Sequence, residues 1–103
     1  ITKKGEVIAI ENISLSQSDS ESISKKINLL MASTLAEVRR RGSLSSELKI
    51  NANQINNLGK YLVGKKNGDF QIIARALDNS QSADKVSISL ELKSLEKSII
   101  SKN

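Results

Sequence analysis

The chain has 103 residues, with 16 Lys and Arg against 11 Asp and Glu, a formal charge of +5. It contains no Cys, His, Pro or Trp, and one Phe and one Tyr. These absences exclude a disulfide framework, a thiol nucleophile, a zinc finger, a Ser-His-Asp triad and a His-ligated metal, and they nearly exclude a base-stacking platform.

Of the 39 apolar residues, 25 are Ile or Leu, so the expected core is aliphatic. The length fits a single domain over 1–103, with a core at about residues 5–93 and a tail over 94–103. No apolar run approaches the ~18 residues a membrane span needs. No signal-peptide pattern is read, and an intracellular place (cytoplasm, nucleoid or nucleus) is expected. The chain begins at Ile1 rather than Met, which suggests a trimmed, processed or disordered start. No acid/base pair with a catalytic spacing stands out. An enzyme, a metal, a cofactor and a small-molecule substrate are therefore not expected.

Glu6 to Ile10 is a short apolar run after Gly5 and reads as a strand, which Ile13 and Leu15 could extend. Ser16 to Ser22 is polar and Ser-rich, a loop running into a helix start. Ser18 and Glu21 fit a capping box there. Ile23, Ile27, Leu30, Met31, Thr34, Leu35 and Val38 recur at steps of three or four and form one helical stripe. Arg39, Arg40 and Arg41 occupy its last turn, with Gly42 as the natural residue beyond the cap.

Glu47 to Asn53 alternates through Leu48, Ile50 and Ala52 and predicts a half-buried strand. Residues 54–63 return to helical spacing at Ile55, Leu58 and Leu62, with Asn53 as N-cap and Gly64 or Gly68 as terminator. Asn67-Gly68 marks a turn. Asp69 to Leu77 reads as a strand with Phe70, Ile72, Ala74 and Ala76 on one face. Val86 to Leu92 has the cleanest alternation in the chain. After it, Leu95, Ile99 and Ile100 suggest a short helical tail or an interface segment.

The order β-α-β-α-β-β predicts an α/β (α+β) two-layer sandwich, a four-stranded mixed sheet with two helices on one face. The last two strands should pair as a hairpin, and the first crossover should be right-handed.

Charge is uneven along this order. Residues 25–66 carry +7, whereas 1–24 carry −2 and 67–103 sum to zero. If each helix runs back against its strand, both helices end at the same edge. Arg39, Arg40, Arg41, Lys65 and Lys66 would then converge, with Lys60 one turn back and Lys3 and Lys4 close by. Lys25 and Lys26 fall at the other end, near Asp19 and Glu21, as a lesser candidate pair. Cations at a helix end also serve the helix dipole, so ordinary helix-end chemistry is the competing reading. Guanidinium groups suit bidentate contact with phosphate.

The element order, the size and the basic balance resemble the Alba family of chromatin and RNA-binding proteins, including its SpoVS-like branch. The likeness is carried by Val38-Arg39-Arg40-Arg41-Gly42 leading into Glu47 to Leu58. The resemblance implies a homodimer that binds DNA or RNA. The loop Ser16–Ser22 and the junction Asn51–Gln54 lack the cations usual there in that family, which shifts the expected contact to the Arg-rich end.

The expected function is therefore a small nucleic-acid-binding protein that grips phosphate with little sequence readout. The alternative is a protein–protein interaction or assembly module without nucleic-acid binding.

Overall fold

The computed structural model describes residues 1–15, 19–65 and 67–95. Its elements are β1 (Val7–Ser14), α1 (Ser20–Arg40), β2 (Leu48–Ile50), α2 (Ala52–Gly64), β3 (Asp69–Ala76) and β4 (Val86–Ser94). They form the expected α+β sandwich, a four-stranded sheet of order β1-β3-β4-β2. β1 pairs antiparallel with β3, β3 antiparallel with β4, and β4 parallel with β2. Hence β1, β2 and β4 run one way and β3 runs the other. The two edges are β1 and β2.

Alternation assigns the faces. Ile13, Phe70, Ile72, Ala74, Ala76, Ile88 and Leu90 join Ile23, Ile27, Leu30, Val38 and Leu62 of the helices in one core. Ile72, Leu30 and Leu62 are fully buried. Burial on this scale, about 25 cal/mol per Å2 of apolar surface, supplies the main driving force for folding.

The helix-free face mixes polar pairs with the apolar side chains of Val7, Ile10 and Ile73. Arg75 donates to both oxygens of Glu91 at 2.8 and 3.3 Å and to the carbonyl of Gly5 at 2.7 Å. Gln71 donates to Asn12 at 3.2 Å.

α1 is capped at both ends. Asp19 is its N-cap, with Oδ1 accepting from the Ser22 amide at 2.8 Å. That places the cap one residue beyond the expected Ser18, which lies outside the described residues. At the other end Gly42 N–H reaches Arg39 and Ser43 N–H reaches Val38, both at 3.0 Å. This is a Schellman closure, and it needs the positive φ of 112° that Gly42 adopts.

Two local expectations are corrected. β2 is not a strand over 47–53: it spans Leu48–Ile50, and Ala52 already belongs to α2. The N-cap of α2 is Asn51 rather than Asn53, its Oδ1 accepting from the Asn53 amide at 2.8 Å. An Asn that satisfies an orphan helix amide competes well with one more ladder position, and it ends the strand early.

These corrections change the direction of α2. Gln54 in its first turn accepts the Leu90 amide of β4 at 3.0 Å. Tyr61 in its last turn meets Phe70 at the start of β3 edge-on, with ring centroids 6.3 Å apart. Since Asp69 pairs with Ser14, the start of β3 lies level with the end of β1. α2 therefore continues in the direction of β2. The chain enters β3 antiparallel to β2, so the second unit is not a crossover between parallel strands. α1 runs the opposite way, because Arg41 at its end bonds Glu6 just before β1. The two helices pack on the sheet and against each other as an antiparallel pair.

Candidate functional site

The expected convergence of basic residues does not occur. α1 ends beside the start of β1 and α2 ends beside the start of β3, at opposite ends of the sheet. Arg39, Arg40 and Arg41 are thus separated from Lys60 and Lys65. The physical reason is strand order: local periodicity marks α2 but does not say that β2 and β3 are antiparallel. Lys66 lies outside the described residues.

The α1 end holds its cations with its own carboxylates. Arg40 binds Glu37 through two nitrogens, at 2.9 and 2.7 Å. Arg41 reaches Glu37 at 2.7 Å and Glu6 at 3.0 Å, leaving its side chain 23% exposed. The hydrogen bond from Arg40, and next that from Arg41, hold the Glu37 carboxyl down at about 2, against its usual 4.5. The same pairing raises both guanidinium pKa values. A bidentate arginine already satisfied by carboxylate has fewer donors left for phosphate. Arg39, Lys3 and Lys4 are exposed and have no carboxylate partner among the described residues.

The other candidates are dispersed. Lys25 pairs with Glu21 at 3.4 Å, one turn away on α1. Lys26 does not pair with the acids of its own helix start but crosses to Glu11 of β1 at 3.1 Å. Lys60 is exposed, and Lys65 places its ammonium 5.4 Å from the centre of the Tyr61 ring. The tail residues Ile99 and Ile100 lie outside the described residues. Among the described residues there is no cluster of His, Cys, Asp and Glu that could hold a metal, and no helix is long and apolar enough to cross a membrane.

What sequence reasoning missed is the β1 edge. β1 has eight residues and, among the described residues, a neighbouring strand on one side only. The Leu15 amide points to Gly68, on the β3 side. By alternation, Ile13 and Glu11 turn their backbone groups to β3 while Asn12 and Ile10 turn theirs outward. Beside this edge, Ile10 is 48% and Val7 38% exposed on the helix-free side. On the helix side, Lys26 reaches Glu11, and Leu29, one turn on, is 51% exposed. Periodicity gave no signal for this. An edge strand reads like an inner one, and Leu29 looks like a stray residue off the stripe.

Two depressions accompany the helices. One, of about 500 Å3, runs between α1 and α2 and includes Ile27, Ile55, Gly59 and Val63. The other, of about 630 Å3, lies where α2 passes β4 and is lined by Asn53, Gln54, Asn57, Tyr61 and Leu92.

No curated protein and no solved structure matches the chain. The Alba resemblance is overturned by a family match of a different kind, which covers residues 2–102. The resemblance rested on helix, Arg-Gly, strand, helix, a grammar that any capped helix followed by a strand can produce. The description of the matching family names a helical hairpin, whereas in this chain α1 and α2 are joined through β2 and pack antiparallel over a four-stranded sheet. The chain belongs to the DUF3084-associated C-terminal helical hairpin family.

Proposed function

We propose that this domain is a protein-interaction module that assembles through the β1 edge, rather than a phosphate-gripping surface. One observation carries the reading: an edge strand, β1, with no other strand on its outer side among the described residues, flanked by exposed Ile10, Val7 and Leu29. Unpaired strand edges are templates for another chain, and soluble domains usually cover, shorten or charge them. Exposed apolar side chains on both sides of such an edge add surface that association would bury.

The basic residues support the same reading. Arg40, Arg41, Lys25 and Lys26 are engaged by Glu37, Glu6, Glu21 and Glu11, and the two helix ends lie apart. A second reading, nucleic-acid binding, is favoured by the exposed Lys3, Lys4 and Arg39 near the end of α1.

The test is fluorescence polarisation with duplex DNA and single-stranded RNA at about 50 mM salt. The expected result is no saturable binding tighter than about 10⁻⁴ M. Tighter binding whose logarithm falls with log salt at a slope of about −3, and which Arg39→Ala with Lys3→Ala and Lys4→Ala abolishes, would establish the second reading instead.

A further inference from the structure

We infer that the depression where α2 passes β4 is a binding site for a neutral saccharide. The β1 edge takes no part in it, so the inference goes beyond the interaction reading and stands or falls separately. Three features of the molecule argue for it.

The first is the lining. The depression has about 630 Å3, within the ~300–1,000 Å3 of small-molecule sites. Charged residues make up 26% of the chain, yet none of the eight residues lining this depression is charged. By contrast, the depression beside β2 is lined by Asp78, Asp84, Lys49 and Lys85. A phosphate or carboxylate ligand calls for a cation, and this lining has none. A purely apolar ligand would strand the amides of Asn53, Gln54 and Asn57 against it. The ligand that fits is neutral and rich in hydroxyls. Each hydroxyl both donates and accepts, and a carboxamide offers a carbonyl and an NH2 group side by side to meet it.

The second is the cost of the amides to the helix. Asn53, Asn57 and Tyr61 recur every four residues along α2, so successive turns present them on one face. Asn is a weak helix former. Among the described residues, the side chains of Asn53 and Asn57 have no hydrogen-bond partner, so the fold draws nothing from them. Asn51 differs, because its Oδ1 is occupied at the cap. Gln54 uses its carbonyl on the Leu90 amide and keeps its NH2 group for a ligand.

The third is the apolar complement. Tyr61 is 48% exposed and stands edge-on to Phe70. Half-buried Leu58 and Leu92 complete the lining. A sugar ring has a polar rim and apolar C–H faces, so it needs such surface as well as amides. Lys65, whose ammonium lies 5.4 Å from the centre of the Tyr61 ring, does not line the depression. An extended peptide fits less well, because it would compete with Gln54 for the Leu90 amide.

Asn53, Asn57 and Tyr61 are all exposed, so the site is shallow and a Kd on the order of 1 mM is expected. The test is nuclear magnetic resonance of the isotope-labelled chain, titrated with glucose, N-acetylglucosamine and chitobiose, each to about 50 mM. At least one sugar should give saturable shifts of the side-chain amide signals of Asn53, Gln54 and Asn57. Asn57→Ala places a better helix former at an exposed position, so the fold is retained. It should weaken binding at least ~10-fold. Asn56→Ala, which alters the depression between α1 and α2 instead, should bind as the parent does. No saturable shift with any of the three sugars would overturn the proposal, as would equal binding by Asn57→Ala or an equal loss in Asn56→Ala. A neutral blocked tripeptide, acetyl-Ala-Ser-Ala amide, that moves the same signals at lower concentration than every sugar would assign the site to a peptide and overturn it too.

Discussion

At one edge of the sheet, β2 offers three residues and then gives way to α2, whose Gln54 occupies the Leu90 amide. At the other, β1 offers eight residues with exposed Ile10 and Val7 on one side and Leu29 on the other. Both edges belong to one small sheet over one core, so stability alone does not require the difference. The β2 edge is finished within the chain. The β1 edge carries a bulge and an inward carboxylate, which limit pairing, and no other strand lies along it among the described residues. Under the proposed reading, such an edge discourages indiscriminate pairing and leaves room for a specific partner.

The largest expected effect asks whether the two edges share one core. Leu30 of α1 and Leu62 of α2 are both fully buried. Leu30→Ala and Leu62→Ala should each lower stability by about 2–5 kcal/mol in urea unfolding. A loss below about 1 kcal/mol for Leu62→Ala alone would make the α2 side an accessory and break the comparison.

The next effect concerns how the β2 edge is finished. Gln54→Ala leaves the Leu90 amide without its partner and should cost about 1 kcal/mol. Native-state hydrogen exchange should then quicken at Leu90 more than at Ile72, in the middle of the sheet. Equal exchange in variant and parent would mean that Gln54 does not guard that edge. Asp19→Ala, which removes the N-cap of α1, should lower the unfolding midpoint without altering exchange at Leu90.

A smaller effect is read by pH at the α1 end. The Glu37 carboxyl is held at about 2, against 4.5 when unpaired, by Arg40 and then Arg41. Stabilisation from a lowered carboxyl pKa is complete above the unpaired value and is lost as pH falls through the paired one. Thermal midpoints should therefore decline between about pH 4.5 and 2, and the decline should be shallower in Glu37→Gln. An identical profile for Glu37→Gln would show that Arg40 and Arg41 do not draw on this carboxylate in solution, and would free them for another partner.

Much of the fold was legible. The stripe from Ile23 to Val38, the Gly42 terminator, the Asn67-Gly68 turn and the alternation from Val86 to Leu92 all lie in local sequence, where period and cap chemistry act directly. Gly68 adopts a φ of 117°, and a Cβ there would come within 3.1 Å of the Phe70 ring, so that turn residue was readable for a physical reason.

The candidate site was not legible in the same way. Whether β2 and β3 run parallel decides where Lys60 and Lys65 end up, and strand order is a property of long-range pairing. Glu11 pairs with Lys26 fifteen residues away, through a contact that no helical spacing announces. The engagement of Arg41 by Glu6 is not announced by the sequence, because the two are distant in the chain and meet only in the fold.

The measurement that tests the central claim most directly is sedimentation equilibrium over a wide concentration range, on the parent chain and on Ile10→Lys. The expected result is an apparent mass that rises with concentration above 11.2 kDa in the parent, and stays at the monomer value in the variant. A parent that remains at 11.2 kDa throughout, or a variant that associates as the parent does, would contradict it.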